Sequence, residues 1–139
     1  MLQLVFDHDR VGPWVCDRLE HRFERDSSTS IGMTRDGVLM CGVYYDDYNH
    51  SSICMHVAKE GAHWLNRQFL TAVFRYPFVQ LKVKKLIGLV DSTNVAARRF
   101  DEKLGFHLEA TVKDAARYGD LLIYTMRPDT CRWLGGKNG

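Results

Sequence analysis

His56, Asp46 and Asp47 are the residues of this chain best suited to moving a proton. Unperturbed histidine titrates near neutrality, so an imidazole at position 56 can take a proton from an incoming group and release it again. Asp46 or Asp47 can act through a water or attract a cationic partner. A histidine in a strand is also commonly a packed or solvent-facing residue, and that reading stands beside the catalytic one. His50, His56 and His63 offer nitrogens to a metal, but their spacing matches no zinc pattern, so no metal is expected. Further on, Lys59-Glu60-Gly61-Ala62-His63-Trp64 leads into a helical run. The first amides and the dipole of a helix favour an anion there. Asn94 is either a helix cap or a ligand contact. Arg98 and Arg99 are either phosphate contacts or a solvated helix face. Lys82, Lys84 and Lys85 make a nucleic-acid patch only where other basic residues join them in space.

The stretch Leu86 to Phe106 shows how such groups are positioned. Leu86 to Val90 is an apolar run too short for a helix, and it predicts a strand buried on both faces. Asp91 to Asn94 breaks it and supplies an N-cap, Val95 to Leu104 predicts a helix, and Gly105 ends that helix in the left-handed conformation. Before it, Leu2 to Phe6 predicts a strand. Val11, Trp14, Val15, Leu19 and Phe23 recur at helical spacing, with Pro13 tolerated in the first turn. Thr29 to Thr34 and Val38 to Tyr45 predict a hairpin turning at Asp36-Gly37. Ile53 to Ala58 is a fourth strand, and Gly61 onward is expected to be a long helix. Its face of Leu65, Phe69, Leu70, Ala72, Val73 and Tyr76 should pack on a sheet. Pro77 predicts a kink or stop. Phe106 to Val112 and Leu121 to Arg127 close the chain as an antiparallel pair, ended by Pro128.

Asn94-x-x-Ala97 followed by Glu102-Lys103-Leu104-Gly105-Phe106, in this order of elements, resembles the fifth strand and following helix of the GNAT superfamily of acyl-CoA N-acyltransferases. The branch it most resembles is that of the ribosomal-protein N-terminal acetyltransferases, and its degenerate, phage-encoded relatives look more similar still. The resemblance covers nearly the whole chain. It implies an α+β fold: a twisted, mixed, mostly antiparallel sheet, helices on both faces, and a splay between the fourth and fifth strands. It also implies acetyl-CoA as cosubstrate. The fourth-strand positions Met55, His56 and Val57 would face the thioester carbonyl. Lys59, Gly61, Ala62, His63 and Trp64 stand where the family's pyrophosphate loop lies, and Asn94, Ala97 and Arg98 lie along the coenzyme arm. His56 and Asp47 would serve the acceptor amine. This chain departs from the family pattern at three places. Trp64 stands where a small residue is usual, on the polar side of the helix, where an indole could cover the free amides. Glu60 adds negative charge to the same loop. Asp101 takes the place of a tyrosine that many relatives use to protonate the leaving thiolate, and an ordinary carboxyl is a poor acid for that task.

Length and composition set the remaining bounds. The 139 residues, 45% hydrophobic and 26% charged, suit one globular domain over 1–134 with a mobile tail at 135–139. A net charge of +2 gives no reason to expect nucleic acid as a partner. No apolar run reaches the length that spans a bilayer, and the first ten residues lack a secretory pattern. A cytoplasmic location is expected, host cytoplasm for a phage-encoded chain. Cys16, Cys41, Cys54 and Cys131 are scattered and favour free thiols. The two functional classes left are an N-acetyltransferase acting on a primary amine of a protein or small molecule, and a GNAT-fold binding or accessory module without coenzyme. A homodimer is compatible with either.

Overall fold

The computed structural model describes residues 1–61 and 66–134. Its elements in chain order are β1 (Leu2–Val5), α1 (His8–Leu19), β2 (Thr29–Arg35), β3 (Val38–Asp46), β4 (Ser52–Lys59), α2 (Arg67–Arg75), β5 (Lys85–Asp91), α3 (Val95–Leu104), β6 (His107–Val112) and β7 (Leu121–Met126). The seven strands form one sheet in the order β1-β2-β3-β4-β5-β7-β6. Neighbours joined by short turns pair antiparallel. β4 and β5, whose connection carries α2, pair parallel because a crossover returns the chain to the same end of the sheet.

The two faces are covered unequally. On one, α2 and α3 bury Tyr45, Phe69, Val73, Phe74, Leu86, Leu104 and Tyr124, all at or near zero exposure. On the other, α1 covers the β2–β4 region. β5 therefore differs from the expectation of a strand buried on both faces. Leu86, Gly88 and Val90 point into the core, whereas Leu89 on the opposite face is 44% exposed. An unbroken apolar run says that a strand is internal to a sheet, not that a helix lies over each face.

The long helix is also shorter than expected. α2 begins at Arg67, with Asn66 as its cap: Asn66 Oδ1 accepts from the amide of Phe69 at 3.0 Å. Phe69, Leu70 and Val73 face the core as predicted, joined by Phe74, and Arg67, Gln68 and Arg75 are exposed. Ala62, His63, Trp64 and Leu65 lie outside the described residues, as does 135–139. The α-helix stops ahead of Pro77 as expected, α2 ending at Arg75, but the connection is not irregular from there. Tyr76–Gln80 continues as a single π turn, closed by Leu81 N to Tyr76 O at 3.0 Å. A proline's missing N–H removes one α-helical bond, and the wider turn restores backbone pairing one residue on.

The packing of α1 depends on two glycines. Gly32 and Gly42 are cross-strand partners on β2 and β3. A Cβ on Gly42 would lie 2.7 Å from Val15 Cγ2, and one on Gly32 would lie 2.9 Å from Val11 Cγ2. Val11 and Val15 are fully buried there, so α1 rests directly on backbone. Gly42→Ala is expected to lower stability by about 1–3 kcal/mol through overpacking, read as a shift in the urea midpoint with unchanged slope.

Candidate active site

β4 and β5 are paired at only three positions, Ser52 with Lys85, Ile53 with Leu86 and Cys54 with Ile87. Past Cys54 the strands part, while β4 stays paired with β3 as far as Lys59. The gap is a cleft of about 350 Å³. Met55, His56 and Val57 line it from β4, Gly88 to Asp91 from β5, and Asn94, Ala97 and Asp101 from α3. An edge of β4 without a strand partner presents backbone amides into this space.

The end of β5 that lines the cleft is tied to a hairpin loop. The carboxylate of Asp91 accepts from the amide of Thr93 at 3.0 Å, and from the amide of Tyr118 in the β6–β7 connection at 2.9 Å. Those bonds hold its carboxyl below the ordinary value. Ser92 Oγ accepts from Asp120 N at 2.9 Å, and Arg117 reaches Glu20 at the end of α1 at 3.4 Å. The β5–α3 turn, the β6–β7 loop and the end of α1 are thus tied together.

Beside the cleft, His56 Nε2 lies 2.8 Å from Asp46 Oδ1, and His21 Nε2 lies 2.8 Å from Asp46 Oδ2. The two rings are 4.2 Å apart at an angle of 33°. Tyr44, completely buried, packs against both, with centroids 5.5 Å from His21 and 6.0 Å from His56. Burial acts to raise the Asp46 carboxyl, but the hydrogen bonds from His56 and His21 prevail and hold it below its usual value. An imidazole hydrogen-bonded to a carboxylate through one nitrogen is fixed in tautomer and orientation. Asp46 also lines a second cavity, of about 500 Å³, together with Glu24, Asp26 and Asp47, and with Tyr48 and Tyr76.

The other sequence-predicted residues divide as follows. Asp47 is exposed and faces the acidic cavity; the carboxylate on His56 is Asp46. Asn94 Oδ1 accepts from Ala97 N at 3.1 Å and caps α3, while its side chain also lines the cleft. Arg98 turns to the carbonyl of Ser92, 3.4 Å away. Lys59 stands across the cleft mouth, its Nζ 5.8 Å from the centroid of Phe100. Gly61 has a left-handed φ of 75°, which turns the chain out of β4. The Glu60 charge is met by Arg18 Nε at 2.7 Å, which the sequence did not reveal. Asp101 corrects the expectation of an ordinary carboxyl. It sits against Gly88, where a Cβ would come within 3.1 Å of its Oδ2. Burial, aided by the neighbouring charge of Glu102, pushes it up to about 7. His21 was not singled out at all, since only the fold brings it to His56. All four cysteines are free thiols.

Comparison with solved structures places this architecture. A chimera of the spermidine N-acetyltransferase SpeG of Vibrio cholerae superposes with a TM-score of 0.71, at 16% identity, over 96% of this chain and 99% of that one. YncA of Salmonella typhimurium, solved with acetyl-CoA, gives 0.67 at 14% identity over 91% and 93%. The fold is that of the GNAT acetyltransferases. The cleft between β4 and β5 is the GNAT splay, and α3 follows the GNAT fifth strand. The chain spans 64% of the length of a further match, a probable acetyltransferase, and 66% of that of a substituted SpeG. No family model and no curated protein matches the sequence. Among the described residues, no helix is long and apolar enough to cross a membrane.

Proposed function

We propose that this chain is an N-acetyltransferase that moves an acetyl group from acetyl-CoA to the primary amine of a cationic acceptor, small molecule or protein. The observation that carries this reading is His56, held by Asp46 beside the cleft where β4 and β5 separate. The cleft suits a slender, largely apolar arm: Met55, Val57, Val90, Ala97 and Phe106 line it. Acetyl-CoA, when bound, supplies the activated acyl group. Unpaired β4 amides polarise its carbonyl, and Lys59 lies at the mouth where negative charge would emerge.

Each remaining task has a residue. An amine reaches neutral pH as an ammonium ion and must lose a proton before it attacks. His56 takes that proton while Asp46 stabilises the imidazolium that results. Asp101, in the same cleft and titrating close to neutrality, holds a proton that a departing thiolate can accept. The acidic cavity that shares Asp46 draws cations towards the base, and its tyrosine rings favour a cationic occupant as well.

An assay of thiol release from acetyl-CoA over a panel of amines tests the acceptor class. Diamines, polyamines and lysine-bearing peptides are expected to turn over, and neutral or acidic amines of similar size are not. Asp47→Asn should raise KM for a cationic acceptor several-fold with little change in kcat, because it removes attraction without touching the base. Equal rates across the panel would remove the acidic cavity from the account.

A further inference from the structure

A single imidazole suffices for the base, so the second one on the same carboxylate calls for its own explanation. We infer that His21, Asp46 and His56 form a binding site for one divalent transition-metal ion of the zinc class. Ion binding itself does not depend on whether the chain transfers acetyl groups; its consequence for the base rests on that reading.

Three elements supply the three donors: His21 from the segment after α1, Asp46 from the last position of β3, and His56 from the middle of β4. The two Nε2 atoms and a carboxylate oxygen all lie within 4.8 Å of one another. Zinc bonds to nitrogen and oxygen at about 2.0–2.2 Å, so tetrahedral ligand atoms sit about 3.3 Å apart. His21 Nε2 lies 2.8 Å from Oδ2 of Asp46 and His56 Nε2 lies 2.8 Å from Oδ1, so the two nitrogens flank the carboxylate and an ion between them needs those contacts to widen. Both rings turn the same nitrogen towards one centre and rest on the buried ring of Tyr44, which limits their freedom before any ion arrives. Among the described residues neither Nδ1 has a hydrogen-bond partner, so each can carry the ring proton when Nε2 coordinates.

Two imidazoles and one carboxylate suit zinc, cobalt or nickel better than magnesium or calcium, which seek oxygen ligands. His21, His56 and Asp46 keep side-chain exposures of 33%, 15% and 14%, which gives an ion entry and leaves room for a water as fourth ligand. With an ion on Nε2 the ring proton of His56 moves to Nδ1, the nitrogen that would otherwise take a proton from the acceptor. The site is therefore a means of silencing that base.

The test is calorimetric titration of the full chain with zinc chloride in chelator-free buffer, with cobalt(II) visible absorption as a second readout. One ion per chain is expected, with cobalt absorption of tetrahedral strength. His21→Gln can still donate to Asp46 but has no imidazole; it should weaken zinc at least about tenfold while its urea midpoint stays close to that of the parent. Asp46→Asn should weaken zinc similarly. Cys54 and Asp47 also lie within 4.8 Å of the Asp46 carboxylate. Cys54→Ser should leave zinc affinity in place. Absence of heat up to millimolar zinc, or binding that survives His21→Gln and disappears in Cys54→Ser, would overturn the assignment.

Discussion

Replacing His56 by alanine is expected to lower kcat for acetyl transfer by roughly 10²–10⁴-fold, the range typical of a positioned general base. KM for acetyl-CoA should change little, because the imidazole is held by Asp46 and makes up only a small part of the cleft lining. Asp46→Asn should show a smaller fall in kcat: it keeps a polar partner for the ring but cannot stabilise an imidazolium. Steady-state rates in the presence of a chelator, fitted separately for donor and acceptor, provide the check. A His56→Ala enzyme with parental kcat would return this residue to a packing role and leave the amine to be deprotonated by solvent.

Asp101→Asn is expected to give the largest change in stability, and its sign depends on pH. The Asp101 carboxyl has an ordinary value of 3.8 and is pushed up to about 7 in the folded chain. Below pH 3.8 both folded and unfolded chains hold the proton, so the residue costs nothing. Between that value and about 7 the unfolded chain ionises while the folded one retains its proton, and stability falls as pH rises. Above that window the accumulated cost is about 2–4 kcal/mol. Asparagine cannot ionise, so the variant should gain that amount over the parent between pH 4 and pH 8, read from urea midpoints at each pH. Parallel pH profiles for variant and parent would show that the carboxyl titrates normally.

The local features of this fold were legible because they depend on neighbours in sequence. Asp36 and Gly37 both take positive φ, 51° and 85°, at the hairpin turn where Asp-Gly was read. Gly105 ends α3 at a φ of 112°, and Asn94 begins it with a side-chain cap. Part of the strand order follows from the same punctuation, since the polar turns make β2–β3, β3–β4 and β6–β7 antiparallel and the α2 crossover makes β4–β5 parallel; the antiparallel β1–β2 pair across α1 and the insertion of β7 between β5 and β6 do not. What depends on distant residues was not legible. His21 meets Asp46 across 25 positions because α1 is seated on Gly32 and Gly42, and no spacing rule encodes that seat. Glu60 read as a repulsive charge until Arg18 proved to be its neighbour. Asp101 read as an ordinary acid because its environment is made by Gly88 on another element. Asn66 cut short a helix that the apolar periodicity extended, because a cap overrides a pattern that continues on both sides of it.

The measurement that bears most directly on the central claim is calorimetric titration of the full chain with acetyl-CoA, paired with a thermal melt. A ligand held only by the folded chain should bind at one site per chain with micromolar affinity. It should also raise the melting temperature by several degrees, the equivalent of about 2.7 kcal/mol at a hundredfold excess over Kd. No heat and no thermal shift at millimolar acetyl-CoA would contradict the account, and would leave the cleft between β4 and β5 as the surface of a GNAT-fold binding module rather than the donor site of an enzyme.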